Sequence, residues 1–232
     1  MVTQPLILCV MPAAGRQSMV NRAVRSFRAQ TYSNKLLAIL DNGPEPLVIE
    51  AGRGVHVTRL QPGVDRRPIG ELRNLVNALA LPGVFDAPII AHWDSDDVSS
   101  AERLTEQVAL LQRSGAEAVG YWEMLFWDSR PGAFCGAWLF KSQNPKYLIG
   151  TSMLYHRRVW ERRPFENRDQ GEDLIFQQRV KAVAVSSIPE DGEPRMVASI
   201  HGQNTASKIE AGRAEWTRAW GQDAKLRELM AL

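Results

Sequence analysis

The feature of this sequence that most constrains its fold is a short apolar run, residues 88–93, that ends in three acids, Asp94, Asp96 and Asp97. An apolar run of this length predicts a buried strand. Residues 99–102, Ser-Ser-Ala-Glu, match the start of a capped helix, and apolar residues then recur at helical spacing. The acids are therefore predicted at the carboxyl end of a strand, where open α/β sheets bind their ligands.

Asp94 and Asp96 are two positions apart, and alternate residues of an extended segment point to the same side, while Asp97 is expected to turn toward the helix start. Two carboxylates that face one small volume repel each other unless a cation joins them. Oxygen ligands favour Mg²⁺ or Mn²⁺, which in turn favours a ligand that carries phosphate. The alternative is that the acids only cap the following helix, the commoner role of such a cluster taken alone.

The composition is that of a folded protein, because 232 residues with 44% hydrophobic and 23% charged side chains can bury a substantial core. A net charge of +2 is too small to indicate nucleic-acid binding by itself. Two cysteines, Cys9 and Cys135, are too few for a disulfide framework, so we expect a reduced, cytoplasmic location. We expect no leader and no transmembrane segment, so any association with a membrane would be peripheral.

Two apolar runs near the start of the chain, residues 6–11 and 36–40, flank an amphipathic helix and predict a βαβ unit with a central first strand. The loop after the first run has one glycine, Gly15, and no lysine. This excludes a Gly-x-Gly-x-x-Gly dinucleotide motif and a Walker motif. The second run ends in Asp41, which either forms a tight turn or contacts a ligand.

The rest of the chain continues the α/β pattern. Further strands are predicted at residues 55–60, 118–127, 136–140 and 196–200, and a polar helical tail from about 206. A helix is predicted at 69–81, with Leu75 on its apolar face and Arg73 at the edge of that face. Residues 147–155 are strand-like, and Gly150 in their middle indicates either a bulge or the close approach of a ligand or another backbone. Glu172 and Asp173 open an apolar helix, where they either meet the helix dipole or serve as a base.

Seven motifs occur in a specific order: the proline-bounded first strand, Asp41, Arg73-Asn74, the segment from Asp94 to Asp97, residues 150–154, Gly171-Glu172-Asp173, and residues 201–205, His-Gly-Gln-Asn-Thr. This order resembles that of the family 2 glycosyltransferases of the GT-A fold over roughly residues 5–207. The resemblance implies a Rossmann-like nucleotide-binding α/β sheet, mostly parallel, with helices on both faces. It implies one domain at 1–207, with a nucleotide-sugar half at 1–100 and an acceptor half at 101–207. The helical C-terminal tail predicted at 208–232 lies outside the resemblance.

The resemblance also implies inverting transfer of a sugar from a nucleotide-diphosphate sugar, first of all a UDP-sugar, with Mn²⁺ or Mg²⁺ as cofactor. Asp173 would be the general base, and Glu172 beside it would orient the acceptor. Asp96, His201 and Asp94 would contact the metal. The residues implied in binding the nucleotide-sugar are Pro12, Ala13, Gly15, Asp41, Arg73, Asp94, Ser95, Gly150 and Thr151.

The sequence does not identify the acceptor. A glycan or lipid-linked glycan is expected, and the five arginines within residues 156–168 either form a solvated helix face or favour an anionic acceptor, such as a nucleic acid with a hydroxylated base. A homodimer is compatible with the sequence. Two other functions compete: a sugar-phosphate nucleotidyltransferase, which usually has a glycine- and lysine-rich loop after the first strand, and a non-catalytic nucleotide-sugar-binding module, which the candidate base Asp173 disfavours.

Overall fold

The computed structural model describes residues 4–50, 52–60, 67–132, 135–178, 180–202, 204 and 214–231. The strands are β1 (Ile7–Ala13), β2 (Lys35–Asp41), β3 (Val55–Arg59), β4 (Ile89–His92), β5 (Val98–Ser99), β6 (Ala118–Asp128), β7 (Gly136–Lys141), β8 (Leu154–His156), β9 (Ala182–Ser186), β10 (Met196–Ile200) and β11 (Trp216–Arg218). The helices are α1 (Gln17–Arg28), α2 (Ile69–Asn77), α3 (Arg103–Ser114), α4 (Arg157–Arg162), α5 (Glu172–Gln177) and α6 (Asp223–Ala231), and Ala78–Ala80 and Gly150–Ser152 form short 3₁₀ turns.

The strands form one curved sheet, whose two halves differ in pairing. The first four pair in parallel in the order β3-β2-β1-β4, so β1 is central, as predicted. Beyond β4 the sheet is mixed, because β8 runs antiparallel to both β4 and β6, and β7 and β11 extend it by antiparallel pairs. Strands β9 and β10 pair in parallel with β6. The parallel sheet that the sequence predicted is thus the N-terminal half.

Alternate residues of β1 face opposite layers of the protein. Ile7, Cys9 and Met11 pack with α1 and α3, whereas Leu8 and Val10 pack with α2. Every one of these side chains is fully buried. A strand that is covered on both faces has a continuous run of apolar residues, and this run is what predicted β1 from the sequence. The prediction of helices on both faces of the sheet is confirmed.

The start of α3 differs from the prediction. Ser99 lies in β5 and pairs with β10, so residues 99–102 form no capping box, and the helix begins without a side-chain cap. An acceptor for the helix start comes from another segment of the chain instead, because the Leu104 amide donates to Gln30 Oε1 at 3.1 Å. Arg103 anchors the same turn to its neighbours. Its fully buried guanidinium donates to Ser99 Oγ, His92 O and Thr151 O at 3.0, 2.9 and 3.2 Å.

The segment at residues 147–155 was predicted as one strand, and this was wrong. The backbone forms a 3₁₀ turn at Gly150–Ser152 and becomes strand β8 only at Leu154. Ser152 is the reason, since its hydroxyl donates to the Ile149 carbonyl and accepts from the Tyr121 amide, at 2.7 and 2.8 Å. These bonds stabilise a turn that apolar periodicity alone could not reveal.

The C-terminal segment contains a helix, α6, as predicted, and also a strand that the sequence pattern did not indicate. The predicted helix start near residue 206 lies outside the described residues. β11 pairs with β7, and its Trp216 packs on one face of the sheet, while Leu226 and Met230 of α6 pack on the other. No helix in the described part of the chain combines the length and the hydrophobicity that crossing a bilayer requires.

Candidate active site

A cleft of about 460 Å³ lies at the carboxyl ends of β1 and β4. The chain segments after these strands form one side, and β6, β7, β11 and the start of α5 form the other. Nine of the residues that the sequence predicted as site residues line it: Pro12, Arg73, Asp94, Ser95, Asp96, Gly150, Thr151, Glu172 and Asp173. The structure therefore brings together acids from β4 and from α5, which are far apart in the sequence.

Four predicted site residues, Ala13, Gly15, Asp41 and His201, are not among the lining residues. Asp41 is 1% exposed, and its carboxylate accepts from the Gly43 and Leu47 amides, both at 3.0 Å. Arg59 donates to the same carboxylate at 3.1 Å. These contacts are those of the tight turn that the sequence offered as the alternative, and a contact of Asp41 with a nucleotide base stays a prediction.

Arg73 links the two sides of the cleft. Its guanidinium donates to Asp94 Oδ1 at 3.2 Å and to Glu172 Oε1 at 3.4 Å. Burial opposes its charge, but the carboxylates of Asp94 and Glu172 raise the pKa of Arg73 above its usual value. The apolar face predicted for α2 was wrong at one position, because Leu75 is 38% exposed and Arg73 is 5% exposed. The two acids offset the cost of burying the Arg73 charge. They belong to other segments of the chain, so the periodicity of α2 could not indicate them.

Asp96 and His201 form the candidate metal pair. Asp96 Oδ2 and His201 Nε2 lie 2.8 Å apart, and Asn204 Nδ2 donates to the same oxygen at 3.3 Å. The guanidinium of Arg16 lies 3.4 Å from Asp96 Oδ2 and 3.3 Å from His201 Nε2. Asp94 instead lies against Arg73. Gln203 and Thr205, which completed the predicted motif, lie outside the described residues.

The 2.8 Å contact between Asp96 and His201 is a hydrogen bond in this structure. A carboxylate oxygen and an imidazole nitrogen are nevertheless both groups that could hold a divalent ion. The imidazole nitrogen favours a transition-metal ion such as Mn²⁺ over Mg²⁺. Within the described residues no three His, Cys, Asp or Glu side chains converge on one point, so further ligands would come from a bound molecule and water. Arg16 would have to move aside.

Asp97 was expected to turn toward the helix start, and this was wrong. Its carboxylate accepts from Thr151 Oγ1 at 2.5 Å and from the Ser199 amide at 2.9 Å. It therefore ties the end of β4 to β10 and to the 3₁₀ turn. Because Thr151 is held in this way, its predicted contact with a nucleotide-sugar stays a prediction.

Asp173 is the candidate base on the opposite side of the cleft. Burial raises the pKa of Asp173 and of its neighbour Glu172 above their usual values. The Leu174 amide donates to Asp173 Oδ1 at 2.8 Å, and the hydroxyl of Tyr147 donates to the same carboxylate. A carboxylate whose pKa is raised toward neutrality is a stronger proton acceptor once it is ionised.

Gly150 makes room for this base. A Cβ atom at residue 150 would lie 2.2 Å from Asp173 Oδ2, closer than any real contact. The sequence predicted a close approach at this glycine, and the group that approaches is a side chain. The Gly150 carbonyl is held by His92 Nδ1 at 2.7 Å, and Tyr155 donates to the other ring nitrogen at 3.2 Å. Burial lowers the pKa of His92, so this ring is neutral and donates from Nδ1.

Comparisons with known proteins bear on the fold. No family model matches the chain, and no protein with a curated description does. Among solved structures, S. aureus TarS 1–349 in complex with UDP-GlcNAc has a TM-score of 0.64 at 14% identity, over 88% of this chain and 62% of that one. Its complex with UDP has a TM-score of 0.63 at 13% identity, over 84% and 60%.

A third structure is the mannosyltransferase PcManGT from Pyrobaculum calidifontis in complex with GDP-Man and Mn²⁺. Its TM-score is 0.54 at 12% identity, over 82% of this chain and 59% of that one. This chain spans about three fifths of the length of these proteins. The chain has a GT-A-like α/β fold. The fold prediction is confirmed.

Several residues of the cleft were missed by sequence reasoning. Arg16 adopts a left-handed backbone conformation, with φ of 61°, directly after Gly15, and this aims it at Asp96. Tyr147 precedes the unpredicted 3₁₀ turn, and Trp216 belongs to the unpredicted strand β11. Each contact joins segments far apart in the chain, and no local pattern signals it.

Proposed function

We propose that this protein is an inverting, metal-dependent glycosyltransferase of the family 2 type, which transfers a sugar from a nucleoside-diphosphate sugar to an acceptor hydroxyl. The observation that carries the proposal is that one cleft has Asp94 and Asp96 on one side and Asp173 on the other. Its volume of about 460 Å³ is in the range of small-molecule sites, about 300–1,000 Å³. A donor and an acceptor group can both be enclosed between these acids.

The donor is proposed to bind on the side formed by the ends of β1 and β4, where α/β sheets hold nucleotides. A UDP-sugar is the first candidate, in keeping with the fold likeness to TarS in its UDP-GlcNAc and UDP complexes. Pro12, Ala13, Gly15 and Asp41 are proposed to hold the base. Arg73, Asp94, Ser95, Gly150 and Thr151 are proposed to contact the ribose, the diphosphate or the sugar.

The charge of the cleft supports a metal requirement. Among its described lining residues, five acids, Asp94, Asp96, Asp169, Glu172 and Asp173, outnumber two arginines, Arg16 and Arg73. A diphosphate would be repelled by this excess of negative charge unless a cation accompanied it. Mn²⁺ or Mg²⁺ held at Asp96 and His201, with Asp94 nearby, would supply charge neutralisation for the departing diphosphate. The likeness to PcManGT in complex with GDP-Man and Mn²⁺ is consistent with this.

Asp173 is proposed to act on the acceptor. The proton of the acceptor hydroxyl passes to the Asp173 carboxylate as the acceptor oxygen bonds to the anomeric carbon. The bond from this carbon to the diphosphate oxygen breaks on the opposite face, and its electron pair leaves with the diphosphate. Attack and departure on opposite faces invert the configuration. Glu172, which Arg73 holds in place, is proposed to orient the acceptor.

The test compares the wild type with Asp173→Asn. Donor binding is measured by titration calorimetry with UDP-sugars and GDP-sugars, with and without MnCl₂, and turnover by acceptor-dependent release of the nucleoside diphosphate. We expect unchanged donor affinity and a loss of turnover of about 10²–10⁴-fold, the usual contribution of a general base. Asp86→Asn, which changes an exposed acid paired with Arg157 outside the cleft, is the matched control and should keep the wild-type activity.

Three results would contradict the proposal. Turnover by Asp173→Asn at the wild-type rate would show that Asp173 is not the general base. Pyrophosphate release from a nucleoside triphosphate and a sugar phosphate would identify a nucleotidyltransferase. Donor binding by the wild type without release of nucleotide in the presence of any acceptor would identify a non-catalytic binding module.

A further inference from the structure

One wall of the cleft is aromatic. Phe126 of β6, Phe140 of β7 and Trp216 of β11 pack edge to face, with ring centroids of Trp216 at 4.9 Å from Phe126 and 5.0 Å from Phe140. Tyr147 completes the wall. We propose that this aromatic wall, formed by these four residues, is the acceptor subsite, and that it takes a neutral oligosaccharide. The inference rests on the proposed glycosyl transfer and names its acceptor class.

The position of the wall assigns it to the acceptor. Tyr147 joins the wall to the candidate base, because its hydroxyl donates to the Asp173 carboxylate. The proposed donor residues Pro12, Asp94 and Asp96 come from the opposite side of the cleft. A molecule that lies on the wall therefore presents a hydroxyl to the base, with its far side toward the donor.

The charges of the cleft disfavour an anionic acceptor. Of the described charged residues that line the cleft, three acids, Asp169, Glu172 and Asp173, lie on the side of the wall. The two arginines of the lining are already paired, Arg16 with Asp96 and Arg73 with both Asp94 and Glu172. A nucleic acid or a phosphate polymer would meet like charge at this position. A neutral acceptor would not.

The arginine-rich segment at residues 156–168 offers no compensation. Arg157 lies 3.0 Å from Asp86, and Arg162 lies 2.6 Å from Glu117. Arg163 donates to the Gln178 carbonyl at 3.0 Å. Arg157 and Arg162 thus lie in ion pairs within the protein, and Arg163 lies on a carbonyl. None of the five arginines of this segment lines the cleft.

The wall and the acids together match the surface of a sugar. A pyranose ring has an apolar face of C–H groups and a rim of hydroxyls. Aromatic rings pack on apolar faces, and carboxylates accept hydrogen bonds from hydroxyls. A hydrocarbon chain would cover the carboxylates beside the wall without offering them any hydrogen-bond donor, and this loss of contact with water costs free energy.

The wall continues outward along the sheet. Trp216 lies opposite Phe140 in the β7–β11 pair, and two positions further Arg218 lies opposite Trp138, so these residues share one face of the sheet. Arg218 stacks on Trp138, at 5.7 Å, and on Trp220, at 4.8 Å. Trp220 is 79% exposed. An exposed tryptophan in line with the wall gives room for further sugar rings, which is why the inferred acceptor is an oligosaccharide.

The experiment begins with the nucleotide, so that the two proposals can fail separately. Calorimetry with UDP and with GDP in MnCl₂ should give the same affinity for the wild type and for Trp216→Leu. A wild type that binds neither nucleotide would overturn the proposed function. Once nucleotide binding is established, the proteins are applied to an array of defined neutral oligosaccharides, from monosaccharides to hexasaccharides, beside anionic phosphoglycans, RNA and anionic lipid vesicles.

We expect the wild type to retain neutral oligosaccharides, and Trp216→Leu to bind them about tenfold more weakly. Leucine keeps an apolar side chain against Phe126 and Phe140 but removes the aromatic face, and Trp216→Phe should restore most of the binding. The matched control is Trp122→Leu, which changes another half-buried tryptophan of the sheet, stacked under Lys141 outside the cleft.

A second variant, Trp220→Ala, covers the case in which Trp216→Leu fails to fold, since Trp220 is largely in solvent. It should weaken binding of the longer oligosaccharides and leave short ones unchanged. The inference is overturned if a nucleotide-binding wild type retains only anionic probes or none. It is also overturned if Trp216→Leu, or Trp220→Ala for the longer chains, binds as tightly as the wild type.

Discussion

The two sides of the cleft differ in the surroundings of their acidic side chains. On the side proposed for the donor, Asp94 and Asp96 lie against arginines, with Arg73 at 3.2 Å from Asp94 and Arg16 at 3.4 Å from Asp96. On the side proposed for the acceptor, Asp173 lies between a glycine and the aromatic wall. Paired charges stay ionised, whereas a carboxylate among apolar groups holds its proton more tightly.

This difference fits the two chemical tasks of the proposed reaction, which are departure of the diphosphate and deprotonation of the acceptor hydroxyl. A departing diphosphate is anionic and calls for ionised groups and a cation. An acceptor hydroxyl is neutral, and a base of raised pKa removes its proton more readily. Burial raises the pKa of Asp173, while Asp94 and Glu172, against the effect of burial, raise that of Arg73. One cleft thus keeps Arg73 charged and makes Asp173, the proposed base, more basic.

The largest expected effect comes from neutralising the donor side. Asp96→Asn removes the carboxylate that we propose as a metal ligand, so turnover should fall about 100-fold or more. Binding of UDP or GDP should also lose its dependence on MnCl₂, which calorimetry with and without EDTA measures. Retention of oligosaccharides on an array should stay unchanged, because the aromatic wall is intact.

Asp86→Asn is the control for this change, since Asp86 is an exposed acid paired with Arg157 outside the cleft. If Asp96→Asn binds UDP or GDP with the same affinity and the same dependence on MnCl₂ as the wild type, the diphosphate and its metal are bound without this acid. The division of tasks between the two sides would then be wrong.

A smaller effect is expected from displacing the base without changing its chemistry. Gly150→Ala places a methyl group 2.2 Å from the present position of Asp173 Oδ2, so the carboxylate must move. A displacement of about 1 Å at a reacting group costs up to about 100-fold in rate. We expect kcat to fall by about 10–100-fold, measured by steady-state kinetics, and donor affinity to fall by less, measured by calorimetry, because Gly150 is also proposed to contact the donor.

The control is Gly52→Ala, where the new Cβ meets only the end of the flexible Arg28 side chain. It should behave as the wild type. Full activity of Gly150→Ala would show that the position of Asp173 does not limit the reaction.

The contrast between the two sides also explains how much the sequence could predict. Strand β1, helix α1 and the acids after β4 were located correctly, because buried parallel strands and amphipathic helices leave periodic patterns in adjacent residues. Asp96, Asp173 and their common cleft followed from the order of motifs. The donor half is built mainly from such local patterns.

The aromatic wall could not be predicted in this way. Trp216 lies in a three-residue strand, too short to show alternation. It packs on Phe126 and Phe140, which are distant in the sequence. Arg73 was expected at the edge of a helix stripe and is buried because Asp94 and Glu172 neutralise it. In both cases long-range contacts override the local pattern.

A pH profile tests the environment of the base. With the pKa of Asp173 raised above 3.8, the acid limb of kcat/KM should have its midpoint above that value. Tyr147→Phe removes a hydroxyl that donates to the ionised carboxylate, so the pKa should rise further and the limb should move up by about one pH unit. Tyr121→Phe, a buried tyrosine outside the cleft, should leave the limb in place. A limb that moves down in Tyr147→Phe would contradict this contact.

The smallest expected effect is on stability. A carboxyl whose pKa is raised in the folded state binds its proton more tightly there than in the unfolded state, so stability falls as the pH rises from about 3.8 through the folded pKa. Above that range the full cost of the buried charge is present. Asp173→Asn removes it, and at pH 7 we expect the variant to melt about 2–4 °C above the wild type. Below pH 3.8, where the wild-type carboxyl is protonated in both states, the two melting temperatures should converge. A variant less stable than the wild type at pH 7 would mean that the bonds from Tyr147 and Leu174 outweigh burial, and that Asp173 is held like the paired acids on the donor side.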